Sequence, residues 1–131
     1  MSGIREYNLQ ANSDTDREHQ VQLELLDKLG KAIDSDQDSA AVCDLLGELI
    51  AYSEAHFASE ELLMRMKSYD DFEAHQEDHF QMLEVLRHMS EQAVTGQLPL
   101  VAGKAQDALG FLEQHIATRD KRLADYVRHN L

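Results

Sequence analysis

Apolar residues recur at three- and four-residue steps along most of the chain, the spacing of a buried helix face. Val21, Leu25, Leu26 and Leu29 open the pattern and predict a helix over about 16–32. Val42, Leu45, Leu46, Leu49, Tyr52, Ser53, His56 and Phe57 follow a second stripe that continues to Leu63 and Met64. Asp38 or Ser39 can cap its start, and Lys67-Ser68 ends it. A third helix begins near Tyr69-Asp70-Asp71 and carries Phe72, His75, His79, Met82, Leu83, Leu86 and Met89 before fading at Thr95-Gly96. A fourth spans about 100–127 through Ala105, Ala108, Leu109, Leu112, His115, Ile116, Leu123 and Val127, with Pro99 in the loop or first turn before it. Residues 1–14 carry no stripe and are expected to form an irregular polar arm. The run Asp34-Ser35-Asp36-Gln37-Asp38 reads as a polar break. Alternating strand patterns and hairpin turn pairs are missing. The expected fold is all-α. It is an antiparallel up-down-up-down four-helix bundle over 15–131 with the arm at 1–14, together one domain.

Length and charge narrow the role. At 131 residues the chain fits one domain. Its formal net charge of −13 makes nucleic acid and anionic membrane poor partners. The single cysteine, Cys43, excludes a disulfide within the chain and a multi-cysteine metal site. The polar start has no apolar core of a signal peptide, and no run approaches the ~18 apolar residues of a membrane span. A cytoplasmic location is the expectation. Seven histidines are many for this length.

Five of those histidines fall on the inward stripes. His19 lies early in the first helix. His56 and Glu60 are four apart late in the second, His75 and His79 four apart early in the third, and His115 and Asp120 five apart late in the fourth. Positions i and i+4 share a helix face, so each such pair can reach one point beside its helix. A spacing of five fits an ideal helix poorly, and a wider π-type turn would bring His115 and Asp120 together. In an antiparallel bundle all seven residues gather at one end. Burying so many polar groups without a metal would cost several kcal/mol. Five imidazoles, two bridging carboxylates and a bridging oxide or hydroxide fill all but one position of two six-coordinate metals. Imidazole-rich sets suit iron, copper, zinc or nickel. His88 and His129 have no partner at ligand spacing. Glu-x-x-His, His-Glu-x-x-His and phosphate-loop patterns do not occur, which disfavours a ferritin-like ferroxidase, a metalloprotease and a nucleotide enzyme.

These residues resemble the hemerythrin family, single-domain bacteriohemerythrins in particular. The match runs through His19, His56-Phe57-Ala58-Ser59-Glu60-Glu61, His75-Gln76-Glu77-Asp78-His79 and His115-Ile116-Ala117-Thr118-Arg119-Asp120. Thr15-Asp16, Met64 and Tyr69 also look like the family. The resemblance implies two non-heme irons joined by an oxo or hydroxo bridge. One would take His75, His79 and His115. The other would take His19 and His56 and keep the open position, with Glu60 and Asp120 bridging. It implies reversible dioxygen binding, without enzymatic turnover, in a pocket of Gln22, Leu23, Phe57, Leu112 and Ile116. Phe80, Leu83 and Leu123 would support that pocket, and Met64, Met66, Met82 and Met89 would fill gaps in the core. Two positions depart from the family. Phe111-Leu112 stands where tryptophan is frequent, and Gln22 stands where an apolar residue is usual. A glutamine there either faces the ligand, with a hydrogen bond or a path for water, or turns outward.

Oxygen storage, transport or delivery is the leading expectation, with an oxygen-consuming enzyme as the partner such a role implies and a monomer as the working unit. The alternatives are a signalling module that senses oxygen or redox state, a di-iron oxidase or a peroxide or nitric oxide reductase, and a metal store or zinc-stabilised bundle. The given chain carries no output domain and no electron-transfer motif, which favours the stand-alone binding role.

Overall fold

A computed structural model describes residues 2–35 and 38–129. Helix α1 spans Ser2–Asp34, α2 Ser39–Met66, α3 Phe72–Val94 and α4 Leu98–His115. A π-helical turn, Ile116–Asp120, then leads into α5, Lys121–His129. No strand occurs among the described residues. Each long helix packs on its neighbours in sequence, and α1 closes the ring against α4 and α5. This is the antiparallel up-down-up-down bundle expected of four amphipathic helices on short loops.

The helix ends follow local chemistry. The Asp38 carboxylate accepts from the Ala41 backbone N–H at 2.9 Å and caps α2. Lys67 closes α2, and Ser68 takes a left-handed turn with φ 50°. Gly96, at φ 79°, turns the chain out of α3, where a side chain would be strained. Pro99 occupies the first turn of α4, where its missing N–H costs nothing. The third helix begins at Phe72 rather than Tyr69, because Tyr69 belongs to the tight turn and is buried there. Of the Asp34–Asp38 break, Asp34 still belongs to α1, Ser35 turns and Asp38 caps α2, while residues 36 and 37 lie outside the described set.

The polar arm is a correction. Residues 2–14 are helical and continuous with the rest of α1. Among the described side chains, the inward positions Asn8, Ala11 and Asn12 are polar or small and form no apolar stripe. Asn8 is fully buried and donates to the Val127 carbonyl at 3.1 Å; Asn12 donates to the Ala124 carbonyl at 3.0 Å. Carbonyls in a last helical turn lack intrahelical partners, and Asn8 supplies one for Val127. Ala11 packs against a small cluster of Leu63, Met64, Tyr69, Leu123 and Val127.

The larger core runs the other way along the bundle, from Phe57, Met82 and Leu112 through Leu26, Leu49 and Leu86 to Ala93 and Val101. The buried histidines therefore lie between two apolar plugs. Two supporting assignments fail: Phe80 is 58% and Met66 57% exposed. Phe80 sits one residue past His79 and Met66 two past Met64, each off the inward stripe of its helix. No helix of the described residues is long and apolar enough to cross a membrane.

Candidate metal centre

All seven residues singled out by spacing come together, and all are buried: His19, His56, Glu60, His75, His79, His115 and Asp120. The imidazoles divide into two sets. His75, His79 and His115 meet edge to face, with ring centroids 4.6–5.2 Å apart. His19 and His56 form a separate pair at 4.9 Å.

The two carboxylates stand between the sets, and each divides its oxygens between them. Glu60 Oε1 lies 2.9 Å from His79 Nε2 and 3.2 Å from His75 Nε2. Its Oε2 lies 3.3 Å from both His19 Nε2 and His56 Nε2. Asp120 Oδ1 lies 2.9 Å from His75 Nε2 and 3.0 Å from His115 Nε2, while Oδ2 lies 2.8 Å from His19 Nε2. The π turn makes this possible. An extra residue in the turn rotates Asp120 back onto the face of His115, which five α-helical steps would not do.

Metal ions fit this donor set. One ligand atom from each of Glu60, His75, His79, His115 and Asp120 lies within 4.8 Å of the others, and so do those of His19, His56 and Glu60. Nε2 of His56, His79 and His115 and both Asp120 oxygens are buried without an aligned hydrogen bond, despite close neighbours. Groups that crowd one point without pairing are arranged as ligands, since unsatisfied buried polar atoms are otherwise costly.

Behind the ligands stands a ring of carboxylates that spacing did not reveal as a group. Glu18 Oε1 holds His56 Nδ1 at 2.6 Å, Glu61 Oε2 holds His79 Nδ1 at 3.1 Å, and Asp78 Oδ2 holds His115 Nδ1 at 3.2 Å. Such partners fix the tautomer and aim Nε2 inward. Each of the three stands one residue from a ligand on its own helix and serves the histidine of the next helix. Arg119, inside the π turn, donates to Asp78 at 2.9 Å and to Asp71 at 3.1 Å, tying the turn to the start of α3.

Charge follows geometry. Burial disfavours the protonated form of His19 and His75, yet the Asp120 and Glu60 carboxylates outweigh it and raise both to about 9. His56 also rises: burial works against its charge, and Glu60 and Glu18 prevail. Burial pushes the Glu60 carboxyl up, but four imidazoles hold it well below the usual range. Asp120 is likewise lowered, burial being overcome by His115, His19 and His75. Burial raises Asp78, and Arg119 with His115 brings it below its ordinary value.

Of the apolar residues expected around the site, Phe57 touches one of the clustered imidazoles. Phe57 is buried and stacks on the His79 ring at 4.0 Å and 10°. Leu112 is buried; Leu23 and Ile116 are half-buried against the main core. Gln22 turns inward, not outward: it is fully buried, and its Nε2 donates to Ser53 Oγ at 3.1 Å. His88 and His129 are exposed and stand apart from the cluster.

Comparison with known proteins points the same way. The family model described as hemerythrin HHE cation binding domain matches residues 11–127. The chain is 30% identical over 118 residues to a bacteriohemerythrin of Pseudomonas aeruginosa (strain LESB58), which covers 88% of this chain and 74% of that protein. It is 25% identical over 113 residues to a bacteriohemerythrin of Ralstonia nicotianae, at 86% and 79% coverage. A shorter match, 37% over 59 residues, joins it to a myohemerythrin of Theromyzon tessulatum, at 45% and 49%. No solved structure matches with significance.

Proposed function

The chain belongs to the hemerythrin family, a di-iron binding family, and from that premise we propose that it binds dioxygen reversibly for storage, transport or delivery. The observation that carries this reading is the unequal division of imidazoles. Glu60 and Asp120 present one oxygen to a three-histidine set and the other to a two-histidine set. One metal position is therefore short of a ligand and open to a small molecule. We assign His75, His79 and His115 to one ion, His19 and His56 to the other, and Glu60 and Asp120 to both.

The iron pair, when bound, supplies reversible electron transfer to dioxygen. The protein supplies the rest. Glu18, Glu61 and Asp78 hold three imidazoles in the ligating orientation and raise their basicity. Phe57, Met82 and Leu112 exclude water from the layer beside the site. Dry walls suppress proton leakage and keep the ligand from being lost as a reduced product. The reading is of a binding protein and not of an enzyme.

The test is an oxygenation cycle. The iron-loaded protein, reduced without oxygen and then opened to air, should develop a visible absorption band that fades when oxygen is withdrawn. Irreversible conversion to the oxidised form would instead favour sensing or oxidase chemistry. No spectral change would leave a structural metal site.

A further inference from the structure

The buried layer next to the histidines is polar on one side only. His19 of α1 and His56 of α2 meet ring to ring. Three residues on along α1 and three back along α2 stand Gln22 and Ser53, both fully buried. The next buried positions are apolar again, Leu26 and Leu49. Across the bundle, the same step inward from His79 and His115 reaches Met82 and Leu112. The polar pair lies on the side with two imidazoles, about 4.5 Å of helical rise from them.

This pair is not self-sufficient. The Gln22 amide spends one N–H on Ser53 Oγ; its second N–H has no acceptor among the hydrogen bonds of the described residues, and Oε1 is buried without a partner. The Ser53 hydroxyl accepts from Gln22, and its own proton has no acceptor among the hydrogen bonds of the described residues. A packing layer gains nothing from such groups, since buried polar atoms cost free energy unless paired. They are the inventory of a site that completes its hydrogen bonds with something else.

We propose that Gln22, anchored by Ser53, is a hydrogen-bonding subsite for the outer atom of a two- or three-atom ligand seated beside His19 and His56. This rests on the function proposed above and adds its selectivity. The neutral amide donates an N–H without bringing a charge into the site. It favours ligands whose outer atom carries negative charge, such as a small anion, over weak acceptors such as carbon monoxide.

Azide is the probe. Oxidised, iron-loaded wild type, Gln22→Leu and Ser53→Ala are titrated with azide, with iron content and the infrared stretch of bound azide recorded for each. Iron content should be the same in all three. Azide binding should weaken roughly tenfold in Gln22→Leu, the worth of one hydrogen bond to a charged group. It should weaken several-fold in Ser53→Ala, where the amide loses its anchor, and the azide band should shift in Gln22→Leu. Affinities within twofold of wild type and an unmoved band would overturn the subsite and leave the pair as a link between α1 and α2. Should Gln22→Leu fail to hold iron, Gln22→Met and Ser53→Ala carry the test by the same criteria. A wild type that holds iron yet takes neither azide nor dioxygen would overturn the function reading and the subsite together. A wild type that binds both, with variants that match it, would overturn the subsite alone.

Discussion

Glu60 and Asp120 are held as carboxylates between five imidazoles, and that mutual neutralisation is what a metal must displace. In the metal-free protein, protons on His19 and His75 persist to about 9, against an ordinary 6.5. Their folded values are raised, so the stability they contribute is fully present below about 6.5 and is lost as pH rises through about 9. Glu60 is lowered, so its contribution is present above its ordinary value and is lost as pH falls through the lower one. The chelated protein should therefore show a denaturation midpoint that declines between pH 6.5 and 9; a flat midpoint would contradict the cluster. Iron needs neutral imidazoles, so loading should release protons and strengthen across that window. Asp78 acts at the same scale. Asp78→Ala frees His115 Nδ1 and one arm of Arg119, and metal retention against a chelator should weaken 10–100-fold, the usual cost of losing such a partner.

Two elements depart from a regular amphipathic α-helix, one in its turn and one in its buried face, and each carries a prediction. The π turn, Ile116–Asp120, returns Asp120 to the His115 face. Inserting one alanine after Ala117 lengthens the spacing from His115 to the carboxylate to six and swings it about 100° away. The variant should stay helical by circular dichroism but bind less than its full iron, as metal analysis would report; unaltered iron content would mean that the turn is incidental. The first half of α1 is the other case. Asn8→Ala should cost about 1–3 kcal/mol, because it strands the Val127 carbonyl in a buried place; chemical denaturation reads this, and an unchanged midpoint would return residues 2–14 to the status of a loose arm. These elements also mark what the sequence made legible. The π turn followed from one awkward spacing between two chemically committed residues. The N-terminal helix did not, because its inward positions, Asn8, Ala11 and Asn12, bury hydrogen bonds and small side chains instead of an apolar stripe. Phe80 misled in the opposite sense: an aromatic beside His79 reads as core, yet its angle around α3 turns it to solvent.

At the scale of the molecule, the four-helix ring brings seven candidate ligands from four stretches of sequence to one depth and closes them between two apolar clusters. The candidate ligands were legible as a cluster because helical periodicity fixes both face and depth. The carboxylates Glu18, Glu61 and Asp78 were not legible as a set. Each serves a histidine on the neighbouring helix, and one chain read linearly does not say which helices touch. The inward turn of Gln22 was open for the same reason, since Ser53, its partner, lies on another helix. The central claim is that the molecule holds two metals with a single open position, and the uptake of dioxygen counts that position directly. The protein, loaded with two irons per chain and reduced, should take up one dioxygen per chain at saturation and return it under vacuum. Uptake of two, or uptake that cannot be reversed, would contradict the account.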